Sequence, residues 1–392
     1  MSNGLIKIEI QNYRSIAKLE LELGSLNVLF GPNGVGKSTF LDAVLFLSQG
    51  LNRSMREVSA ERGQWLGLLW DGASEKDKAV IDLMTSSASY KISFSFAQGR
   101  FDNVTESLVT KKGQNLIYRS SLSPSQVKFY DKDSNQAREA SITTEALSLL
   151  RYVDSYPLTN EAVEMKDALE SVNFRLARED SIEKLKRLGS ESSYHLMLSD
   201  GSENLWSVLR NLRDRSVLDS RYEAIMRFMQ QSFPSFRNLL FEQTGSNSLY
   251  ASMIEEERQK PIPASGMSDG HLQMLINLTA LFSEEKGKTS LILFDEPETS
   301  LHPHAIAQFA EAVKLATEEW GRQVFIATHS PVLLSQFSPE NIFTVGFDEN
   351  RATVMQRVSE IKEVKDLLEE YALGSLYMAE AIAPQSKPLV EV

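Results

Sequence analysis

Apolar and polar residues alternate at the start of the chain: Ile6, Ile8 and Ile10 are interleaved with Lys7, Glu9 and Gln11, and Leu19, Leu21 and Leu23 with Lys18, Glu20 and Glu22. Period-two alternation sends one face of a segment into a core and the other into water, which predicts two half-buried strands. The pattern then changes. "LNVLF" is an unbroken apolar run of strand length, Gly31 opens a Gly-rich turn, and Phe40, Val44 and Leu47 recur at helical spacing until Gly50. That order predicts strand, loop and a helix ending near Gly50.

Alternation returns from Tyr90 to about Tyr130 in "YKISFSFAQG", "ESLVTKKGQ" and "NLIYRSSL", which predicts an antiparallel sheet with Gly turns. From roughly Thr144 to Phe236 the period is helical, most clearly in "IEKLKRL" and "RYEAIMRFMQQSF". The prolines and charges of "EEERQKPIPASG" then predict a linker or loop. Beyond it, "TSLILFDEPE" and "RQVFIATHSP" are apolar without alternation, as strands covered on both faces of a parallel sheet are. Ile306, Phe309, Ala310, Val313 and Trp320 form one helical stripe between them, so the segment reads as a βαβ unit. A hairpin turning at "DENR" is expected over Asn341–Val358, and a last amphipathic helix over Lys362–Tyr371.

Composition narrows the class. No apolar run approaches the roughly 18 residues of a membrane-spanning helix, and residues 1–11 lack the apolar stretch of a secretory signal. A cytoplasmic location without a membrane partner is expected. With no Cys in 392 residues, disulfides, thiolate metal sites and a Cys nucleophile are excluded. The net charge of -12 argues against a globally basic nucleic-acid binder. One local run stands out, Arg175 to Arg227, where Arg178, Lys184, Lys186, Arg187, Arg210, Arg213, Arg215 and Arg221 gather. It is either a DNA-contacting patch or a solvated helical face.

The chemistry sits in the turns. "GPNGVGKST", Gly31 to Thr39, fits the phosphate-loop pattern directly after a buried strand and opening a helix. Gly31, Asn33, Gly34 and Gly36 let backbone N–H groups curl around an anion, and the helix start adds about half a positive charge. Lys37 can reach the β and γ phosphates of a nucleotide, and Ser38 and Thr39 present hydroxyls, that of Ser38 placed to ligate Mg²⁺. "LILFDEPE" puts Asp295 and Glu296 at the carboxyl end of a buried strand, where open α/β sheets present ligands. Asp295 would complete a Mg²⁺ shell and Glu296 would polarise an attacking water; alternatively the pair caps the next helix. His329 ends a second buried strand, with a γ-phosphate, an attacking water or a structural partner as its mate.

These parts in this order, with "SGMSDG" ahead of the Asp-Glu strand and "NYRSI" ahead of the phosphate loop, resemble the ABC-class ATPases of the RecF, SMC and OLD-like group. The short form is similar to bacterial AAA-family ATPases found beside nucleases or toxins in antiphage systems. The resemblance implies an α/β P-loop head with a mixed sheet, an antiparallel subdomain and a helical lobe. It divides the chain into residues 1–135 (Walker A and antiparallel sheet), 136–263 (helical lobe), 264–358 (signature, Walker B, D-loop and H-switch) and 359–392 (a C-terminal helix and tail that docks on self or partner).

It also implies cofactors ATP and Mg²⁺, catalytic Lys37, Glu296 and His329, and a role for Arg14 near the nucleotide. Ser268 and Gly270 would bind the γ-phosphate of ATP held by a second copy, making a dimer around two ATP; a plain helix N-cap is the other reading of Ser268. Asp269 stands where transporters carry a second Gly, and His302 where their D-loop has Asp, both similar to the OLD and RecF side of the class. Gln64 and Gln98 both match the Q-loop by position. No long heptad run lies between Lys37 and Ser268, so the chain reads as a head without an SMC arm. Little follows His329, so a nuclease is expected on another chain. The implied output is regulation of an effector nuclease or toxin in antiphage defence or DNA maintenance, with DNA contact. The competing reading is an ATP-dependent oligomeric scaffold with little hydrolysis and no nucleic acid.

Overall fold

The alternating N-terminal segments pair as an antiparallel hairpin, β1 (Leu5–Tyr13) with β2 (Ile16–Glu22), each burying its apolar face. The computed structural model describes residues 4–149, 151, 159–176, 179–244 and 247–361. Two units are distinguished, one spanning Met1–Val172 and resuming at Glu340, the other covering Asn173–Pro339.

In the first unit, β3 (Leu26–Phe30) is buried throughout and leads through the Gly-rich turn into α1 (Lys37–Asn52). Two short helices follow, α2 (Met55–Ala60) and α3 (Gln64–Leu68). Then come β4 (Ala79–Thr85), β5 (Ala88–Ala97), β6 (Arg100–Thr110), β7 (Asn115–Arg119), β8 (Gln126–Asp131), β9 (Gln136–Ser141) and α4 (Asn160–Glu170). Strands β2, β1 and β4 to β9, in that order, make one eight-stranded antiparallel sheet. The expected sheet is therefore longer at both ends, because β1 takes β4 as a second antiparallel neighbour with Ile8 opposite Leu83. Phe94 packs on Phe46 of α1 at 5.3 Å and on Phe101 at 5.0 Å, tying helix to sheet. A rigid polar knot adds to this core. The buried Glu106 carboxylate accepts from the Ser148 and Leu149 amides, while Arg119 donates to the carbonyls of Pro124, Thr144 and Ala146 at 2.7 Å each.

The second unit contains β10 (Asn173–Leu176), α5 (Glu179–Arg187), β11 (Ser190–Glu191), α6 (Leu205–Asp214), α7 (Arg221–Ser232), β12 (Phe236–Thr244), β13 (Ser248–Glu255) and β14 (Ile262–Pro263). It continues with α8 (Asp269–Phe282), β15 (Ser290–Asp295), α9 (Pro303–Glu319), β16 (Arg322–Thr328) and α10 (Pro331–Leu334). As the unalternating pattern implies, β15 and β16 are parallel, with Asp295 opposite Ala327; β10, inside the stretch whose period reads as helical, is a strand that joins them on the other side of β15. Between the stretch that reads as helix and the one that reads as linker, β12 and β13 form an antiparallel hairpin, and β14, within the expected linker, pairs with β13. Phe282 of α8 is fully buried between Phe228 of α7 (5.7 Å) and Trp320 (5.0 Å). A side chain of that size contributes about 1.5–3 kcal/mol by burial.

The first unit closes with the expected hairpin, β17 (Ile342–Phe347) and β18 (Thr353–Arg357), turning at Arg351 in the left-handed region. Strand β17 pairs in parallel with β3, so this part of the unit has mixed pairing. Helix α1 runs through Gly50 to Asn52, because Gly50 is packed on Met55 and tolerated in the helix interior. The expected helix at Lys362–Tyr371 and the tail lie outside the described residues.

Candidate active site

The phosphate loop packs against the β17–β18 hairpin. Gly36 caps α1 at φ 103°, and a Cβ there would lie 2.2 Å from Thr353 Oγ1 and 2.7 Å from Ser15 Oγ, so only Gly fits on both counts. The Thr353 hydroxyl reaches the Val35 carbonyl (2.9 Å) and Ser15 Oγ (2.7 Å), and Ser15 Oγ donates to Thr39 Oγ1 (3.2 Å). A partly buried chain of hydroxyls thus braces the loop. The Lys37 ammonium curls back over the loop and donates to the carbonyls of Gly31 (2.8 Å) and Pro32 (2.7 Å). Asn33, Gly34 and Ser38 are exposed on the open side. Amides at a helix start, a lysine at the loop's centre and an exposed Ser hydroxyl suit a polyphosphate with Mg²⁺, which takes hard oxygen donors.

In the second unit, Asp295 ends β15 nearly buried, and Glu296 follows at φ 52°, its N–H donating to the Ala327 carbonyl at 2.8 Å. A left-handed conformation costs a β-carbon-bearing residue about 1–2 kcal/mol. The bend turns Glu296 to meet His329, whose Nδ1 is 3.1 Å from Glu296 Oε1, both side chains being partly exposed. With the Nδ1 proton given to Glu296, Nε2 accepts in the neutral ring and donates only in the imidazolium. Glu298, which the pattern does not single out, is buried beneath; Thr328 Oγ1 donates to its Oε1, and its Oε2 has no partner among the described residues. Burial raises the Glu298 carboxyl above its ordinary range against the pull of that hydrogen bond.

Helix α8 begins at the signature residues. Ser268 is its N-cap, accepting from the His271 amide (3.3 Å) and bonding His271 Nδ1 at 2.6 Å, while the His271 ring stacks on Phe233 at 4.0 Å. Burial lowers the His271 pKa, so the ring is neutral at pH 7. A Cβ on Gly270 would lie 2.7 Å from the Ser300 carbonyl, in the segment after Glu298. Deeper in the helix, Gln273 Nε2 donates to Asn277 Oδ1 (3.0 Å), and Asn277 Nδ2 donates to the Pro297 carbonyl (2.9 Å). Both side chains are buried. The signature helix is therefore bonded to the segment that carries the carboxylates.

A family model described as AAA domain, putative AbiEii toxin, Type IV TA system, matches residues 26–335. The chain belongs to this family. It is an ABC-type head of the RecF, SMC and OLD-like group. The Old nuclease of Escherichia phage P2 is 23% identical over 92% of this chain, and the chain spans 63% of that nuclease's length. The RecF DNA replication and repair protein of Shewanella loihica is 41% identical over 59 residues, 15% of this chain and 16% of its own. An SMC head solved with the C-winged helix domain of ScpA superposes with TM-score 0.54 at 16% identity, covering 92% of this chain and 99% of that one. It shows the fold.

Within this ABC-type head Arg14, Asp269 and His302 have specific partners. Arg14, in the β1–β2 turn at φ 51°, donates to Asp42 Oδ2 of α1 at 2.7 Å, beside Tyr13 (2.8 Å) and Arg62. Burial opposes ionisation of Asp42, but the Arg62 hydrogen bond and the neighbouring charges outweigh it and hold its pKa low. Asp269 pairs with Lys186 at 2.5 Å, and His302 is the N-cap of α9 ahead of Pro303. Gln64 and Gln98 are both exposed at positive φ.

The basic run does not form one face. Arg175 is buried against the carbonyls of Leu198 and Ser199, and burial lowers it to about 10. Arg221 is buried on Asp219 and the Ser283 carbonyl. Lys184, Lys186, Arg187 and Arg213 pair with Glu203, Asp269, Glu183 and Asp214. Helical charge periodicity cannot separate cations that cap carbonyls from those that face solvent; Arg178 lies outside the described residues.

Proposed function

We propose that this chain binds ATP with Mg²⁺ and hydrolyses it, and that two heads associate around two ATP to control a partner effector, a nuclease or toxin, with contact to DNA. Lys37 and the loop amides would bind the phosphates, with Ser38 and Asp295 holding the metal. When bound, Mg²⁺ supplies positive charge on the phosphate oxygens. Glu296, one oxygen engaged by His329, would orient water and take its proton at Oε2. Ser268 and Gly270 of the partner copy would complete the phosphate shell, so that association and competence are one event.

The Glu296–His329 pair carries this reading. A carboxylate held at a strained strand end by an imidazole matches a water-activating base better than a helix cap, since Glu296 caps no helix among the described residues. The test is steady-state phosphate release by the wild-type chain, Lys37→Ala and Glu296→Gln, with Mg²⁺ and with EDTA. Mg²⁺-dependent turnover lost in both variants supports hydrolysis. ATP binding without turnover in the wild type would favour the scaffold reading.

A further inference from the structure

Beside α6 in the second unit lies a cleft of about 610 Å³ whose walls include Tyr194, Arg210, Asn211, Arg215, Gln243 and Asn247. We propose that it binds a nucleoside phosphate, either a unit of single-stranded nucleic acid or a free nucleotide, with the arginines on phosphate and Tyr194 under the base. This rests on the nucleic-acid contact proposed above and assigns it a place.

Arg210 is the first observation. Its guanidinium is half-buried, and every hydrogen bond it donates goes to a neutral group: Ser192 Oγ (3.2 Å), the Ser193 carbonyl (3.4 Å) and Asn211 Oδ1 (3.1 Å). These contacts fix the plane of the fork and, among the described residues, leave its charge without a counter-ion. Arg215 is exposed on the same wall and, among the described residues, has no carboxylate within ion-pair reach. The acid of the wall, Asp214, is taken by Arg213 at 3.2 Å. In a chain of net charge -12, a cleft where cations outnumber free carboxylates is a local anion site. A planar guanidinium matches phosphate oxygens in pairs.

Tyr194 is the second. It lines the cleft and is 96% exposed, so its ring is presented to a ligand there. Asn211 donates to the carbonyls of Ser193 and His195 (2.7 and 2.9 Å), which secures the backbone on both sides of the ring. A positive groove with a presented aromatic face is how single strands are held, phosphate on cation and base on ring. An acidic protein segment would satisfy the arginines but leave the ring unused.

The test is fluorescence anisotropy with fluorescein-labelled decathymidylate, in wild type, Tyr194→Ala, Arg215→Glu and Arg210→Lys. Tyr194 and Arg215 are exposed, so these changes leave the fold intact, checked by the melting temperature. The proposal expects each to weaken binding by about tenfold or more, with ATP binding at the phosphate loop unchanged. Arg215→Glu should also flatten the salt dependence by about one charge. Thymidine 5′-monophosphate titrated into Lys37→Ala separates the sources: competition by the monomer marks a free-nucleotide site, and binding of the oligomer alone marks a strand site. Strand binding indifferent to all three variants overturns the site while leaving DNA contact standing. No strand binding in the wild type and no monomer binding in Lys37→Ala overturns both and leaves the ATP reading untouched. Equal displacement by an oligoglutamate peptide, with Tyr194→Ala silent, overturns the proposal in favour of a protein partner.

Discussion

Nδ1 of His329 lies 3.1 Å from Oε1 of Glu296, joining the ends of two neighbouring parallel strands. The contact requires Glu296 to leave β15 in a left-handed conformation, anchored by its amide on Ala327. Removing the carboxylate in Glu296→Gln should slow hydrolysis about 100-fold or more, roughly 2.7 kcal/mol of barrier, with ATP affinity unchanged. His329→Ala, which frees the carboxylate without removing it, should cost less, about tenfold. Single-turnover hydrolysis beside equilibrium binding of a fluorescent ATP analogue checks both. A larger loss in His329→Ala would make the imidazole the primary group.

Thr353, far along the chain from the loop it braces, provides a second prediction. Thr353→Val keeps the shape but strips the Val35 carbonyl of its donor, which costs about 1–3 kcal/mol. If the hydroxyl positions the loop, ATP binding weakens about tenfold and Thr353→Ser restores it. Equal weakening in both variants would reduce Thr353 to packing.

The buried Gln273–Asn277–Pro297 link leads to a third. Asn277→Leu leaves the Pro297 carbonyl and the Gln273 amide unpartnered, and should lower stability by about 1–3 kcal/mol. It should lower kcat while leaving the ATP dissociation constant near wild type, because the carboxylate segment shifts and the phosphate loop does not. A change in affinity alone would contradict a positioning role.

Much of this was legible from residue pattern. Alternation marks β1, β2, β5 and β6, unalternating apolar runs mark β15 and β16, and the glycines of the loop stand where a positive φ and a close approach demand them. The β12–β13 hairpin is harder to see, although Leu249, Ala251 and Met253 alternate on the buried face of β13 and "TGSN" has the composition of a turn. Helical periodicity in α7, immediately before, masks the switch. The partners Thr353, Ser15 and Asn277 are invisible for another reason. Each acts through a contact made in three dimensions, and a lone Thr or Asn carries no pattern that distinguishes it from an ordinary turn or surface residue.

Acid should weaken the signature helix start. The His271 pKa is lowered from 6.5 by burial, so the unfolded chain binds a proton there that the folded chain resists. Stability is then full above about 6.5 and falls as pH drops through that value towards the folded pKa. His271→Gln should reduce the loss of melting temperature between pH 7.5 and pH 5.5, taken as about one unit either side of the ordinary value. An unchanged difference would place the acid sensitivity elsewhere.

The most direct test of the shared site is the solution mass of Glu296→Gln by light scattering, with and without ATP and Mg²⁺, beside the same variant carrying Ser268→Arg. The account predicts a monomer that becomes a dimer with ATP and stays a monomer when Ser268 is replaced. A mass indifferent to nucleotide, or a dimer that forms equally well with arginine at position 268, would contradict it.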